Sequence, residues 1–271
     1  LKGGPARDRH AVLAPMPDGR FIIAWERLVF GEYARLYPVG MYTMILTADG
    51  KVDEPERNVQ LPDLDSRDVF DAAWPEDVAV GEDGKVLIAG TRYIFEQEKA
   101  NDVPFGYTHA FLLSLDDDRH TASVFTRDER YSCDARVAPL SRKTAMLAFN
   151  VQNQFKQDGF AQAYRTDGKL KRRGSVANYD VEETYITPDL LELPDGGARL
   201  LYVRSKEELL QKNINTNGNI DSDSVTMTLQ SGCDLRDVKS LVLPGGDKAF
   251  VIYSDICGND GKLWGMVVDL E

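Results

Sequence analysis

Residues 10–28 read HAVLAPMPDGRFIIAWERL, with an apolar run on each side of the dipeptide Asp18-Gly19. Asp-Gly between two apolar runs is a strong signal for a β-hairpin, because aspartate and glycine tolerate the positive φ of a primed turn. The second run, Phe21–Trp25, is apolar at every position, which is typical of a strand that is covered on both faces. This stretch therefore predicts a hairpin whose second strand lies inside a larger β-structure.

The hairpin pattern occurs five times along the chain. The other four copies span residues 76–93, 133–150, 187–205 and 237–255, with turns near Asp83-Gly84, Ser141-Arg142, Asp195-Gly196 and Gly245-Gly246. A third run follows each copy, and a turn rich in Asp or Asn then leads in most copies to a more polar fourth segment. The period is about 50 to 65 residues, which is the range of repeat architectures.

Four short antiparallel strands per repeat, repeated radially, are typical of a β-propeller. We predict an all-β, five-bladed β-propeller that occupies residues 1–271 as a single domain. The expected blades are residues 10–70, 71–130, 131–182, 183–231 and 232–271 together with 1–9. The last repeat stops before its fourth strand, so we expect the two termini to close the ring. A ring with further blades outside this sequence is the alternative.

The segments Pro17–Glu26 and Met41–Gly50 resemble the repeats of β-propeller proteins that have an Asp-Gly turn, an apolar run and a Trp. The resemblance implies an architecture, and propellers host lectins, hydrolases and scaffolds alike. The chain lacks the Trp-Asp dipeptide at repeat ends, the sialidase-type S-x-D-x-G-x-x-W box and a kelch double glycine in each repeat.

The composition excludes some classes of partner and cofactor. With 44 acidic and 32 basic residues, the net charge is −12, so the chain has no basic footprint for nucleic acid. No stretch approaches about 18 apolar residues, so membrane insertion is not expected. The three cysteines and three histidines show no zinc-site spacing, and we expect no cofactor. The compartment stays open: few cysteines favour the cytoplasm, whereas a start at Leu1 is compatible with secretion.

An acidic residue precedes the expected innermost strand of each repeat: Asp8, Asp77, Asp134, Asp189 and Asp237. Arg9, Arg136 and Arg236 stand beside three of these acids, which suggests ion pairs around the entrance of a central channel. A ligand-binding channel and catalysis are the other two interpretations. Five-bladed glycoside hydrolases of the arabinanase and invertase type use three channel carboxylates, and here Asp77, Asp134 and Asp189 would fill that role.

Three longer connections, residues 27–40, 94–107 and 151–159, occupy one equivalent position in the first three repeats. They are therefore expected on one face of the ring, where propellers bind their partners. Aromatic residues are frequent in them: Phe30, Tyr33, Tyr37, Phe95, Phe105, Tyr107 and Phe155. Such a surface suits a protein or glycan partner, although the rings would also serve as plugs over the blades.

One segment has the spacing of a calcium loop: Asn213, Asn215, Asn217 and Asp221 alternate around Gly218. It resembles the D-x-D-x-D-G loops of integrin-type propellers, but three of its positions carry neutral amides. We favour a plain hairpin turn here, because amide oxygens provide a weaker field for a divalent ion than carboxylates.

For function, we predict a non-enzymatic binding or scaffolding module that presents its loop face to a protein or glycan. The alternative is a glycoside hydrolase-type enzyme that uses carboxylates around the central channel.

Overall fold

A computed structural model describes fourteen segments of the chain: residues 6–30, 36–60, 71–96, 105–115, 122–124, 132–141, 144–152, 157–165, 170–177, 188–203, 208–221, 225–228, 234–257 and 260–270. All the secondary-structure elements in these segments are β-strands, so the all-β prediction is confirmed. Within the same segments, no helix is long and apolar enough to cross a membrane.

The strands form five sheets, and each sheet uses strands that are consecutive in the chain. The first sheet contains β1 (Ala6–Pro15), β2 (Phe21–Phe30), β3 (Leu36–Leu46) and β4 (Val52–Val59). The second contains β5 (Asp71–Val80), β6 (Val86–Glu96), β7 (Phe105–Leu115) and β8 (Ala122–Val124). The third contains β9 (Ser132–Ser141), β10 (Thr144–Gln152), β11 (Gln157–Arg165) and β12 (Leu170–Ala177).

The fourth sheet contains β13 (Asp189–Glu192), β14 (Ala198–Val203), β15 (Glu208–Ile214) and β16 (Val225–Thr228). The fifth contains β17 (Asp234–Val242), β18 (Lys248–Cys257) and β19 (Asp260–Asp269). The strand pairs with a described register are antiparallel, as expected for hairpins. Four of the five sheets thus have the four-strand order that the repeat predicts.

The beginning of the chain belongs to the first sheet. Ala6 pairs with Val29 and Arg9 pairs with Glu26, so residues 6–9 are the first part of β1. Our prediction that residues 1–9 complete the last repeat is therefore wrong for this described part. Residues 6–9 and 12–15 of β1 pair along β2, where they satisfy backbone groups that a shorter strand would leave unpaired.

The Asp-Gly turns differ in type from the primed turns that we predict. Gly19 has a φ of +84°, whereas Asp18 has a negative φ. The Gly19 N–H donates to the Met16 carbonyl at 3.0 Å, and the Met16 N–H donates to the Arg20 carbonyl at 2.8 Å. This pattern is a type I turn followed by a glycine bulge, because only one residue of the turn adopts the left-handed conformation.

The chain divides into two compact units, Leu1–Cys133 and Asp134–Glu271. In the first unit, the first two sheets share one core cluster that includes Ile22, Ala24, Ile88 and Leu113. These residues come from the apolar runs of the repeat, and each of the four is fully buried.

The second unit has two such clusters, one on each side of the fourth sheet. Met146 of the third sheet packs with Leu200 of the fourth, and Leu201 of the fourth packs with Val251 of the fifth. Successive residues of β14 point to opposite faces of the fourth sheet and pack against different neighbouring sheets. The sequence of β14 is therefore apolar on both faces.

Candidate functional site

The first unit contains a fully buried carboxylate, Glu26, in β2. It lies opposite a β-bulge, because the register of β1 and β2 shifts between Arg9 and Val12. In this bulge, His10 adopts a φ of +52°, in the left-handed region that non-glycine residues rarely occupy. A bulge re-aims side chains, and this one directs two neighbouring residues of β1 to the same carboxylate.

Arg9 and His10 both contact Glu26. Arg9 Nε donates to Glu26 Oε2 at 2.8 Å, and His10 Nδ1 lies 3.1 Å from the same oxygen. The Arg9 and His10 side chains are 48% and 45% exposed, whereas that of Glu26 is 1% exposed. Glu26 Oε1 has no hydrogen-bond partner among the residues that the structure describes. The site thus combines a buried carboxyl group with two half-exposed nitrogen groups.

The contacts continue into the second sheet. The ring centroids of His10 and Trp74 are 5.9 Å apart. Trp74 Nε1 donates to Glu76 Oε1 at 3.2 Å, and Thr91 Oγ1 donates to Glu76 Oε2 at 2.8 Å. Glu76 is the extra residue of a second bulge, between Pro75 and Asp77 of β5.

Two bulges in neighbouring first strands therefore assemble one connected group, which we call the Glu26 cluster: Arg9, His10, Glu26, Trp74 and Glu76. Its chemistry is varied. Carboxylates and an imidazole can transfer protons, a guanidinium can bind an anion, and an indole ring offers an apolar face with a polar edge.

A related arrangement occurs in the second unit. Asp134 of β9 has a φ of +56°, and Asn150 Nδ2 of β10 donates to Asp134 Oδ2 at 3.3 Å. The spacing from Asp134 to Asn150 is 16 residues, the same as from His10 to Glu26. Backbone strain of this kind persists where the surrounding structure over-determines it, often at functional sites.

Asp189, at the start of β13, is a buried acid with partners from two other sheets. Its Oδ2 accepts a hydrogen bond from Ser240 Oγ, and its Oδ1 lies 3.5 Å from Lys239 Nζ and 4.0 Å from Arg136 Nε. Burying a carboxyl group requires such compensation, and the three contacts make Asp189 part of a polar network between sheets.

Asp8 and Arg9 each pair with a residue of β2 and not with each other, whereas the pairings predicted beside Arg136 and Arg236 stay predictions. Arg9 pairs with Glu26, whereas Asp8 pairs with Arg27 at 2.7 Å. Arg136 lies beside Asp189. The reason is geometric: successive residues of a strand point to opposite faces of the sheet, so Asp8 and Arg9 do not face each other.

The remaining channel candidates belong to β5 and β17. Asp77 is half-buried and follows the bulge of β5. Arg236 and Asp237 are residues of β17, and their side chains lie outside the described part.

Five of the aromatic residues that we expect on loops lie in strands, and the binding role of these residues stays a prediction. Phe30 lies in β2, Tyr37 in β3, Phe95 in β6, and Phe105 and Tyr107 in β7. Tyr33 and Phe155 lie outside the described residues.

The asparagine-rich segment has the hydrogen bonds of a hairpin turn. Asn215 Oδ1 accepts from the backbone N–H groups of Asn217 and Asn219, each at 3.0 Å. Asn213 Oδ1 accepts from Arg199 Nε at 2.9 Å, and the backbone N–H of Asp221 donates to the Asn213 carbonyl. Donors thus engage two side-chain oxygens that a calcium ion would need. Within the described segments, no group of three or more His, Cys, Asp or Glu residues is placed to hold a metal.

Sequence reasoning missed Glu26 and Glu76. Glu26 directly follows the apolar run Phe21–Trp25, and a charged residue in a strand that is covered on both faces is rarely fully buried without a partner. That irregularity is the signal that points to the site.

No protein-family model and no curated protein matches the sequence. Several solved structures resemble the fold. A protein of unknown function from Dyadobacter fermentans DSM 18053 is 14% identical, with a TM-score of 0.66 over 100% of this chain and 78% of that chain. The K499G mutant of NanB sialidase from Streptococcus pneumoniae is 9% identical, with a TM-score of 0.57 over 97% of this chain and 61% of the sialidase.

A polysaccharide lyase of family PL25, an ulvan lyase, is 9% identical, with a TM-score of 0.58 over 97% of this chain and 64% of the lyase. The chain spans less than two thirds of the length of the sialidase and of the lyase. At these identities the likeness shows the fold alone: the chain is all-β, its neighbours have folds of the β-propeller type, and neither a closed ring nor a count of five blades is established for the described residues. No particular repeat family is identified.

These neighbours contradict our prediction of a non-enzymatic binding or scaffolding module. Two of the solved structures that share the fold are a sialidase and a polysaccharide lyase, and neither is a binding or scaffolding module by its name. Glycan partners fit the same neighbours, whereas nothing in them indicates a protein partner.

Proposed function

We propose that the protein is a carbohydrate-active enzyme that cleaves glycosidic bonds, with the Glu26 cluster as its active site. The observation that carries this proposal is Glu26 itself, a fully buried carboxylate whose Oε2 holds two half-exposed side chains of a strained bulge. The fold likeness to a sialidase and a polysaccharide lyase supports a carbohydrate substrate.

The chemistry needs a proton donor and a proton acceptor beside the scissile bond, whether water or elimination completes the cleavage. We assign His10 as the catalytic residue. Glu26 is the positioning residue: it engages His10 Nδ1 and leaves Nε2 to exchange a proton with the substrate. Glu76, on the neighbouring sheet, is the second group for proton transfer.

We also propose that the five sheets are the blades of one β-propeller domain. The support is the repeated order of consecutive strands within each sheet, together with the fold likeness.

The experiment measures cleavage of sialyllactose, ulvan, arabinan and fructan, and follows both new reducing ends and unsaturated products. We expect wild-type activity on at least one substrate. His10→Asn tolerates the left-handed backbone but removes the imidazole, and we expect it to lower kcat by about 100-fold or more. Glu26→Gln keeps the shape of the side chain and removes the charge that orients His10, so we expect a loss of about 10-fold or more.

The matched control is Glu54→Gln. Glu54 lies in β4 of the same sheet, its side chain is 36% exposed, and it belongs to a different ion pair, with Arg20. We expect this variant to keep wild-type activity. An inactive wild-type protein, or an equal loss in Glu54→Gln, would contradict the proposed function.

A further inference from the structure

We infer that the Glu26 cluster takes a sugar unit that bears a carboxylate or sulfate group, with Arg9 as the receptor for that group. The inference rests on the proposed function and concerns the same site.

Arg9 has hydrogen-bonding capacity that its protein contacts do not use. Its Nε donates to Glu26 Oε2 at 2.8 Å, and the structure gives its two terminal nitrogens no hydrogen bond within the described segments. Nearly half of the side chain is exposed. A guanidinium presents two parallel N–H groups along that outer edge, which match the two oxygens of a carboxylate or sulfate.

Two other arginines, Arg27 in β2 and Arg20 in the turn before it, differ from Arg9 in their contacts. Arg27 makes paired contacts with Asp8 and Glu56, and Arg20 contacts Asp18, Asp53 and Glu54. Each of these guanidinium groups has several carboxylates around it, so an additional anion would compete with ion pairs that already exist. Arg9 has one carboxylate partner, Glu26, which fixes its orientation.

Trp74 completes the site. Its indole N–H is engaged by Glu76 Oε1, which holds the ring in the cluster, and its centroid lies 5.9 Å from that of His10. An aromatic face suits the apolar side of a pyranose ring. A sugar on Trp74 therefore has an anion receptor and a proton-transfer group, Arg9 and His10, on adjacent residues of one strand.

The charge of the whole protein makes this local receptor necessary. At a net charge of −12, the chain does not attract an acidic glycan at long range. The affinity for an acidic sugar must then come from a specific contact, and Arg9 provides it.

The test uses calorimetric titration with matched oligosaccharides: sialyllactose against lactose, ulvan oligosaccharides against their carboxyl-reduced forms, and the same oligosaccharides against their desulfated forms. The second and third pairs separate a carboxylate from a sulfate. We expect the wild-type protein to bind an acidic member about 10-fold or more tightly than its neutral partner.

Two variants of Arg9 isolate its role. Arg9→Gln should abolish the preference for the acidic member, and Arg9→Lys, which keeps a charge beside Glu26 but loses the planar fork, should reduce it. Lys51→Gln is the control, because Lys51 is an 80% exposed cation in the turn between β3 and β4 and its partner is Asp49. This control should keep the wild-type preference.

The outcomes separate the inference from the proposed function. Binding of acidic sugars through Arg9 without cleavage by any variant would support the inference and contradict the enzyme. Cleavage of neutral glycans without an acidic preference would overturn the inference and leave the enzyme in place. An acidic preference that persists in Arg9→Gln, or an absence of binding to every oligosaccharide, would also overturn the inference.

Discussion

Arg27 shows how single charged residues are organised on the first sheet. Its guanidinium donates to both carboxylate oxygens of Asp8 and to both of Glu56, at 2.7 to 2.9 Å. It also lies 4.5 Å from the ring centroid of Tyr42. The hydrogen bonds from Arg27 hold the pKa values of Asp8 and Glu56 below their ordinary values of 3.8 and 4.5. The three side chains therefore link β1, β2 and β4 across the sheet.

This triad makes the stability of the protein depend on acid pH. A carboxyl group with a lowered pKa in the folded state stabilises the fold fully above its ordinary value, and the contribution is lost as the pH falls through the lowered value. We expect the melting temperature of the wild-type protein to fall below about pH 4.5, and that of Arg27→Gln to fall less steeply. Circular dichroism melts between about pH 7 and pH 2 measure this difference.

The control for this prediction is Glu82→Gln. Glu82 is an exposed carboxyl group in the turn between β5 and β6, and the variant should keep the wild-type slope. Equal acid-side slopes for the wild type and Arg27→Gln would show that the triad does not contribute.

At the scale of elements, the hairpin turns differ in what surrounds their glycines. Gly50 and Gly218 both have a φ of +79°, and each N–H donates to the carbonyl three residues earlier. A Cβ at Gly50 would meet no atom within 4 Å, whereas a Cβ at Gly218 would lie 2.4 Å from Ala163 Cβ. The turn after β15 is therefore packed against the third sheet through a glycine.

The two glycines form a matched pair for mutation. Gly50→Ala introduces only the left-handed strain, and we expect it to lower the free energy of unfolding by about 1 kcal/mol. Gly218→Ala adds a steric overlap with the neighbouring sheet, and we expect a further loss of about 1 to 3 kcal/mol. Urea unfolding of both variants measures the difference. Equal losses in the free energy of unfolding would contradict the prediction, because they would mean that the overlap with Ala163 is relieved without destabilising the fold.

At the scale of the whole molecule, the proposed propeller makes a prediction about cooperativity. If the five sheets are blades of one domain, heat should unfold them in a single transition whose calorimetric and van't Hoff enthalpies agree. Differential scanning calorimetry at several scan rates measures both enthalpies. Two resolved transitions, matching the compact units Leu1–Cys133 and Asp134–Glu271, would contradict a single domain.

The sequence by itself determined the local architecture. Apolar runs joined by Asp-Gly turns specify hairpins through contacts between near neighbours, so the five-fold repeat predicted five sheets of consecutive strands. The turn type was not predicted correctly from the sequence. An Asp-Gly pair fits both a primed turn and a type I turn with a glycine bulge, and in the structure only Gly19 adopts the left-handed conformation. The strand positions of residues such as Phe30 and Phe105 were not predicted either, because the length of a hairpin depends on pairing between both of its strands.

Only the tertiary structure decided the candidate site. Arg9, His10 and Glu26 meet through a bulge, and a single extra residue in a strand leaves little trace in a hydrophobic pattern. Trp74 and Glu76 join them only because the second sheet packs on the first. The burial of the Glu26 carboxyl group depends on tertiary packing and is not encoded in a local sequence pattern. The acids before the strands were visible in the sequence, whereas the buried Glu26 was decided by the contact between sheets.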